Sequence, residues 1–200
     1  METVETPAER YARAKQRSAH PLTNDFIAQF DFGFDDFQIA ACHAVEEGRG
    51  VLVAAPTGAG KTVVGEFAAF SSLARGKKCF YTTPIKALSN QKFHEFVERF
   101  GEDRVGLLTG DTNINSDADI MVMTTEVLRN MLYANSSTLL NLGAVVMDEV
   151  HYLADKFRGA VWEEVLIHLM ESVQVISLSA TVSNAEEFGE WLGEVRGQTD

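Results

Sequence analysis

A glycine-rich loop that ends in lysine and threonine is the first feature with a chemical consequence. Ala55 to Thr62 reads APTGAGKT and follows a short apolar run. Gly58 and Gly60 allow the backbone to turn its N–H groups toward phosphate oxygens, and a helix starting there adds the positive end of its dipole. We predict that Lys61 reaches the β- and γ-phosphates of a nucleotide and that the Thr62 hydroxyl binds Mg²⁺. The residues assigned to the nucleotide are Pro56, Thr57, Gly58, Ala59, Gly60, Lys61 and Thr62.

Two adjacent carboxylates at the end of another apolar run form the second candidate cluster. Asp148 and Glu149 follow Val145–Met147, and consecutive strand residues point to opposite faces, so the two can take different roles. We predict that Asp148 binds Mg²⁺, directly or through water, while Glu149 orients and polarises the attacking water. An Asp-Glu pair alone is also typical of a solvated turn, but the preceding phosphate loop favours catalysis. The predicted catalytic residues are Lys61, Asp148 and Glu149, and the predicted metal ligands are Thr62 and Asp148.

The chain around these clusters alternates between short β-rich runs and stretches with helical spacing. Continuous apolar runs indicate strands buried on both faces, as in parallel sheets with helices on either side. Ligands of such sheets bind at the carboxyl ends of the strands, where both clusters fall. We therefore predict an α/β domain with a mostly parallel sheet flanked by helices on both faces. The predicted strands are Val51–Ala55, Lys78–Thr83, Val105–Leu108, Ile120–Thr124, Ala144–Met147 and Gln174–Leu178; the predicted helices are Thr62–Leu73, Ile85–Phe100, Thr125–Ala134, Ala160–Met170 and Ala185–Leu192, the last with Asn184 as N-cap.

Composition restricts the classes of protein to which the chain can belong. Its 200 residues, 46% of them hydrophobic, suffice for one well-buried domain and are too few for two large ones. No apolar run approaches the ~18 residues of a membrane span, and the charged N-terminus does not resemble a signal peptide. Cys42 and Cys79 lack CxxC spacing, which predicts buried thiols in a cytoplasmic protein. We divide the chain into a partly ordered lead-in at 1–20, in which a helix can begin at Pro7, and a domain at 21–200.

The net charge of −12 bears on any function that involves nucleic acid. Proteins that bind nucleic acid by charge alone are usually basic. An acidic domain can still bind through backbone N–H groups, helix N-termini and a few lysines, with weaker binding and little long-range steering. Composition by itself therefore argues against a nucleic-acid partner, and only motifs can support one.

Several segments, in order along the chain, resemble the motifs of superfamily 2 helicases. Asp148–His151 reads DEVH and resembles the DExH box, and Ser179–Thr181 reads SAT and resembles motif III. The other segments are Phe32–Gln38 (Q-motif), Thr82–Gln91 (motif Ia), Leu107–Asp111 (motif Ib) and Met123–Leu132 (motif Ic), with Arg158–Gly159 and Trp162–Glu164 after the DExH box. From about residue 32 to residue 196 the chain is similar to the Ski-like branch of DExH helicases. The resemblance implies a RecA-like P-loop NTPase domain, the first of two in such proteins.

The resemblance also implies roles for residues outside the two clusters. Gln38 would read adenine, because an amide can bond an acceptor–donor pair on the base. Phe32 would stack near the base, unless it belongs to the core. His151, Ser179 and Thr181 would couple hydrolysis to strand movement. Residues implied to contact the sugar-phosphate backbone of the nucleic acid are Pro84, Lys86, Gln91, Thr109, Gly110, Thr124 and Glu126.

Two groups of residues keep alternative interpretations. Lys86 and Lys92 either supply local positive charge toward nucleic acid or form a solvated helix face. Phe93, Phe96 and Phe100 have helical spacing, which favours core packing over a base-stacking platform. Core positions are likewise expected for Leu128, Met131 and Leu132.

The leading interpretation is the ATP-binding domain of an ATP-dependent RNA helicase that moves 3′ to 5′ along a single strand, with RNA favoured over DNA. In such proteins a second RecA-like domain supplies arginines to the γ-phosphate, and nothing after Thr181 resembles its motifs. Arg158 and Arg196 are not plausible substitutes, so we expect the chain to bind ATP weakly and hydrolyse it very slowly. The alternatives are a DNA helicase for repair and a non-enzymatic module that only docks nucleotide or partners. A plain P-loop kinase is excluded, because the SAT and TTPxKAL segments occur together.

Overall fold

A single mixed sheet occupies the centre of the computed structural model, which describes residues 6–154, 159–181 and 185–200. Its strands are β1 (Val51–Ala54), β2 (Lys78–Thr83), β3 (Val105–Leu108), β4 (Asn113–Ile114), β5 (Ile120–Thr124), β6 (Leu142–Met147) and β7 (Gln174–Ser179). They lie in the order β1-β7-β6-β2-β5-β3-β4. Every neighbouring pair is parallel except β3 and β4, which are antiparallel. All the strands except β4 therefore end at one edge of the sheet, called here the carboxyl edge.

Helices connect these strands and precede the first of them. The described residues contain α1 (Pro7–Ala19), α2 (Pro21–Ile27), α3 (Asp36–Glu46), α4 (Thr62–Ala74), α5 (Lys86–Phe100), α6 (Thr125–Tyr133), α7 (Gly159–His168) and α8 (Ala185–Arg196). None of these helices is both long and apolar enough to cross a membrane.

Alternate residues of the strands enter two separate cores, one on each face of the sheet. On β2, Cys79 and Tyr81 face the core built with α2, α3, α4 and α5, whereas Phe80 faces the core built with α6, α7 and α8. Because both sides of the inner strands are buried, their sequences read as continuous apolar runs. The predicted α/β fold, a mostly parallel sheet flanked by helices on both faces, is confirmed.

The predicted strands and helices all occur, with small differences at their ends. Two helices and one strand were not predicted: α2, α3 and β4. The short β4 is exposed and pairs only with β3, so no apolar pattern marks it. Helix α2 has seven residues, too few for a clear helical period. Asn184, the predicted N-cap, lies outside the described residues.

The apolar residues with helical spacing lie in the cores, as predicted. Phe93 and Phe96 are buried, and Phe100 packs against the same core. Leu128 is fully buried in the opposite core, where Met131 and Leu132 also pack. The aromatic residues of α5 therefore do not form a base-stacking platform.

Close packing of the N-terminal part begins at the start of α2. The carboxylate of Glu46 accepts the backbone N–H groups of Leu22 and Thr23 at 2.9 and 2.8 Å. The His20 ring stacks on His43 with a centroid distance of 3.8 Å. By contrast, the side chains described along α1 are exposed. The division of the chain between residues 20 and 21 stays a prediction.

Candidate active site and nucleic-acid interface

The phosphate loop joins the carboxyl end of β1 to the start of α4. Gly58 and Gly60 both have φ +84°, a conformation that glycine adopts without a steric cost. The Lys61 ammonium donates to the carbonyl oxygens of Ala55 and Pro56 at 2.7 and 3.0 Å. The lysine is thus folded back over its own loop at the helix N-terminus, where an anion is favoured.

Of the two residues assigned to the base, Phe32 precedes α3 and Gln38 lies in its first turn. Gln38 is only 5% exposed, and its amide accepts the N–H of Asp35 at 2.8 Å and donates to the carbonyl of Gly60 at 3.1 Å. Gln38 therefore caps α3 and holds the phosphate loop with the same amide. Phe32 is 56% exposed and stacks on Phe34, with ring centroids 5.8 Å apart. Of the two interpretations of Phe32, the core position is wrong.

Asp148, immediately after β6, has hydrogen bonds to both of its carboxylate oxygens. Oδ1 accepts the backbone N–H of Glu149 at 2.8 Å, and Oδ2 accepts the hydroxyl of Tyr81 at 2.5 Å. Burial, together with the neighbouring Asp148 carboxylate, raises the pKa of Tyr81 well above its usual range, so this hydroxyl keeps its proton and donates. Asp148 is consequently fixed in orientation by the protein.

Glu149 and His151 connect the DExH box to the segment after β7. Glu149 has φ +56°, which is costly for a residue with a side chain and indicates a backbone held by its surroundings. His151 Nε2 lies 2.9 Å from Glu149 Oε2, and the N–H of Ala180 donates to His151 Nδ1 at 3.0 Å. Because Nδ1 accepts, Nε2 is the nitrogen that carries the proton. The imidazole thus bridges the Glu149 carboxylate and the backbone between Ser179 and Thr181.

The phosphate loop and the DExH box lie close together on the carboxyl edge. Only β7 separates β1 from β6, so with a strand spacing of ~4.8 Å the two strand ends are about 10 Å apart. The N–H of Ala55 donates to the carbonyl of Ser179 at 3.2 Å, which ties the loop to the end of β7. Thr181, the last residue of the SAT segment, is exposed.

The donor set at this edge fits Mg²⁺. Thr62 offers a hydroxyl and Asp148 a carboxylate, and Mg²⁺ takes oxygen ligands, typically one or two from protein with the rest from phosphate and water. Over the described part of the chain, no group of three or more His, Cys, Asp or Glu side chains could hold a metal ion. With two ligands from the protein, Mg²⁺ would take its remaining ligands from phosphate and water.

The residues assigned to nucleic acid lie on the other half of the carboxyl edge. Pro84 follows β2, Thr109 and Gly110 follow β3, and Thr124 is the N-cap of α6 at the end of β5. Strands β2, β5 and β3 are neighbours in the sheet, so their ends form one continuous surface. Thr109 is buried and Thr124 is partly exposed, whereas Gly110 and Glu126 are exposed. A small cavity lined by Pro84, Glu126 and Asp148 joins this surface to the DExH box.

The lysines of α5 point in different directions. Lys86 is half-exposed and forms an ion pair with Asp111, and its hydrogen bond lowers the pKa of that carboxyl. Lys92 instead donates to Glu95 Oε2 at 2.7 Å and to Thr62 Oγ1 at 3.3 Å. Its side chain is only 13% exposed. Both interpretations of Lys92, a cation facing nucleic acid or a solvated helix face, are therefore wrong: it contacts the phosphate-loop helix.

Two residues that touch the site were not predicted in that position: Tyr81 and Lys92. Tyr81 lies inside an apolar strand, and Lys92 lies one position beyond the segment that resembles motif Ia. No local pattern separates such residues from an ordinary core tyrosine and a surface lysine. Their partners are distant in sequence, and only the packing of α4 on β2 and α5 brings them together.

Comparison with known proteins decides the family. Residues 35–188 match the profile described as DEAD/DEAH box helicase. The chain belongs to this family. The matched DEAD/DEAH region runs from the N-cap of α3 into α8 and so includes both the phosphate loop and the DExH box.

The curated relatives within this helicase family are much longer than the chain. The probable helicase HelY of Mycobacterium tuberculosis is 64% identical over 174 residues, which cover 87% of the chain and 19% of HelY. The chloroplastic DExH-box ATP-dependent RNA helicase DExH15 of Arabidopsis thaliana is 54% identical over 88% of the chain and 16% of its own length. The antiviral helicase SKI2 of Saccharomyces cerevisiae is 45% identical over 95% and 16%. The predicted similarity to the Ski-like branch is confirmed.

A solved helicase structure supports the fold. Helicase Lhr of Mycobacterium smegmatis, bound to single-stranded DNA and AMP-PNP, superposes with a TM-score of 0.73 at 31% identity. The match covers 90% of the chain and 27% of the Lhr chain. The chain therefore has the fold of a RecA-like helicase domain and aligns with one part of the longer Lhr chain.

Proposed function

We propose that the chain is the ATP-binding motor domain of an ATP-dependent helicase that translocates 3′ to 5′ along a single strand, with RNA favoured over DNA. One observation carries the proposal: the phosphate loop and the DExH box share the carboxyl edge, and β7 and His151 connect them. Hydrolysis would be coupled to movement through this connection.

ATP and Mg²⁺ would bind on the β1–β6 half of the edge. Lys61 would transfer from the loop carbonyls to the terminal phosphates, a stronger interaction because both partners are charged. Thr62 and Asp148 would hold Mg²⁺, which neutralises charge on the transferred phosphoryl group. Glu149 would orient the attacking water, with its own carboxylate positioned by His151 Nε2.

Adenine would bind beside Gln38 and Phe32. The exposed ring of Phe32 offers a stacking face. The Gln38 amide is bonded to the Gly60 carbonyl, so reading the base would require the amide to exchange a partner in the loop. Recognition of adenine and the conformation of the phosphate loop would thereby be linked, which favours ATP over GTP.

Single-stranded nucleic acid would cross the ends of β2, β5 and β3. Pro84, Gln91 and Glu126 present few charges there, and most contacts would go to the sugar-phosphate backbone without reading sequence. DExH15 is named an RNA helicase, which favours RNA. The single-stranded DNA of the Lhr structure favours the alternative, a DNA helicase. Stimulation of ATP hydrolysis by oligo(U) or oligo(dT), measured on the protein with both motor domains, separates the two.

A second RecA-like domain would complete the hydrolytic site. Such a domain supplies arginines worth ~10³–10⁵ in rate. Arg196 does not replace them, because its guanidinium donates to the carbonyls of Leu169, Met170 and Val173 at 2.6 to 2.8 Å. Arg158 lies outside the described residues. We therefore expect the 200-residue chain to bind ATP-Mg²⁺ weakly and to hydrolyse it very slowly. The cytoplasmic location stays a prediction.

Substitution of the proposed water-orienting residue tests the function. In the protein with both motor domains, Glu149→Gln should lower ATP turnover by about 10²–10⁴-fold, because the carboxylate that acts on water is lost. Nucleotide affinity, measured by equilibrium binding of labelled ATP, should change little. The exposed Glu98→Gln on α5 is the matched control and should retain turnover. A non-enzymatic module would show no loss with either substitution, which would contradict the proposal.

A further inference from the structure

Both oxygen ligands assigned to Mg²⁺ also receive a hydrogen bond from the unit formed by β2 and α5. Tyr81 on β2 donates to Asp148 Oδ2 at 2.5 Å, and Lys92 on α5 donates to Thr62 Oγ1 at 3.3 Å. We propose that Tyr81 and Lys92 are positioning residues of the metal site with opposite effects: Tyr81 strengthens Mg²⁺ binding and Lys92 weakens it. The inference rests on the proposed function, in which Thr62 and Asp148 hold the ion.

The position of Tyr81 is set by close packing of its ring. The residue is fully buried, and the Phe96 ring lies perpendicular to it with a centroid distance of 4.9 Å. Gly65 of α4 also packs on the ring, and an added Cβ there would come within 2.7 Å of Tyr81 Cε2. Only glycine therefore lets α4 lie this close to the tyrosine. The ring has little freedom, so its hydroxyl is aimed at Asp148.

A fixed neutral donor on Asp148 should favour the metal. With Oδ1 bonded to the N–H of Glu149 and Oδ2 bonded to Tyr81, the carboxylate is oriented without help from a ligand. Groups that orient a metal ligand in this way typically change metal affinity or activity by about 10–100-fold when removed. The neutral hydroxyl achieves this without adding charge beside a cation.

Lys92 acts differently because it brings a positive charge to a metal-binding oxygen. Its ammonium shares Thr62 Oγ1 with any cation that binds there, and like charges at such short range repel strongly in a partly buried site. The ammonium is held in place by Glu95, while Glu66 and Arg99 lie in the same cluster with 3.7 Å between Arg99 Nε and Glu66 Oε2. The positive charges of Lys92 and Arg99 and the negative charges of Glu66 and Glu95 sum to zero. Removing the lysine charge would leave the cluster negative, which favours Mg²⁺.

The two substitutions are predicted to change Mg²⁺ affinity in opposite directions. This distinguishes the proposed positioning roles of Tyr81 and Lys92 from simple structural support. Loss of packing or of a hydrogen bond would weaken ligand binding in both variants, whereas the proposal requires one variant to weaken it and the other to strengthen it. The hydrogen bonds of both side chains go to the assigned metal ligands and to Glu95, not to the loop backbone. The effect should therefore show in the Mg²⁺ dependence of nucleotide binding, without any need for turnover.

The experiment titrates Mg²⁺ into the 200-residue chain with a fluorescent, non-hydrolysable ATP analogue. Tyr81→Phe should raise the Mg²⁺ concentration for half-maximal binding about 10-fold, and Lys92→Met should lower it roughly 3- to 10-fold. In EDTA, both variants should bind the analogue as wild type does. Matched controls are the exposed Tyr11→Phe and Lys77→Met, neither of which should shift the titration. Circular dichroism checks that each variant is folded.

The possible results lead to distinct conclusions. A wild-type chain that binds no analogue, or binds it independently of Mg²⁺, would contradict the proposed function itself. A wild-type chain whose binding tightens with Mg²⁺, with both variants unchanged or both weakened, would overturn the inference alone. If Lys92→Met weakens binding in EDTA as well, the lysine contacts phosphate, and its assigned role is wrong.

Discussion

The carboxyl edge has two halves: the nucleotide half at the ends of β1, β7 and β6, and the nucleic-acid half at the ends of β2, β5 and β3. The two halves hold their polar side chains in different ways. On the nucleotide half, Lys61, Asp148 and His151 are all bonded to other segments or to the loop backbone. On the nucleic-acid half, Gln91 and Lys86 are exposed, and each bonds to a single carboxylate, that of Glu95 or Asp111. The polar side chains of the nucleotide half are therefore held by two bonds each, whereas those of the nucleic-acid half are held by one and would be rearranged by a ligand.

Charge separates the two halves further. Among the residues assigned to nucleic acid, Lys86 is the cation, and Asp111 pairs with it. The chain as a whole carries a net charge of −12. Binding on this half must then depend on backbone N–H groups and neutral donors more than on counterion release. Substitutions on the nucleotide half should affect folding as well as binding, while those on the nucleic-acid half should affect binding alone.

The largest effect on stability is expected at Gly65, beneath the nucleotide half. An added Cβ would lie 2.7 Å from Tyr81 Cε2 and 3.4 Å from side-chain atoms of Leu178 and Val146. Gly65→Ala should lower the free energy of unfolding by about 1–3 kcal/mol, because the buried neighbours cannot move aside freely. Gly193→Ala on α8 is the matched control, since no atom lies within 4 Å of its added Cβ. Urea unfolding should show that variant to be up to about 1 kcal/mol more stable; destabilisation of both would contradict the packing argument.

A smaller effect on stability is expected at His151. His151→Ala removes the acceptor of the Ala180 N–H and the partner of Glu149, which should cost about 1 kcal/mol in unfolding free energy. With both motor domains present, ATP turnover should also fall roughly 10-fold, because the Glu149 carboxylate loses its orienting partner. The exposed His94→Ala on α5 should change neither quantity. Unchanged turnover in His151→Ala would show that the bridge is structural only.

The sheet could be predicted from the sequence because each strand is marked by its own short run of apolar residues. Strands such as β6 and β7 are buried on both faces and read as apolar runs between turns. Helix α3 was not predicted, although Asp35 and Gln38 form a capping box. The same residues resemble a nucleotide-binding motif, and we assigned them to the nucleotide and not to a helix start. The Gln38 amide both caps α3 and bonds to the Gly60 carbonyl of the phosphate loop. The pattern of residue types does not reveal the bond to the loop.

The neighbours of the site could not be predicted, because they depend on the packing of distant segments. Tyr81 and Asp148 are 67 residues apart, and Thr62 and Lys92 are 30 apart. The sequence grouped Lys92 with Lys86 on the same helix, yet the separation of six positions turns it to another face. Six residues on a helix correspond to a rotation of about 600°, or 240° after full turns, so the two side chains point in different directions.

The smallest effect is expected at the ion pair of Lys86 and Asp111 on the nucleic-acid half. Lys86→Met should reduce the slope of log affinity against log salt by about 1 for a labelled oligo(U), because at most one phosphate contact is lost. Asp111→Asn should act in the opposite direction, since it frees the lysine for phosphate. The lowered pKa of Asp111 keeps its carboxylate charged at neutral pH, and the pair is lost only as the pH falls through that pKa. Fluorescence anisotropy at pH 7 between low and moderate salt measures both slopes, with Lys77→Met as control. If the two variants shift the slope in the same direction, Lys86 does not reach phosphate, and the nucleic-acid half binds without a cation from this pair.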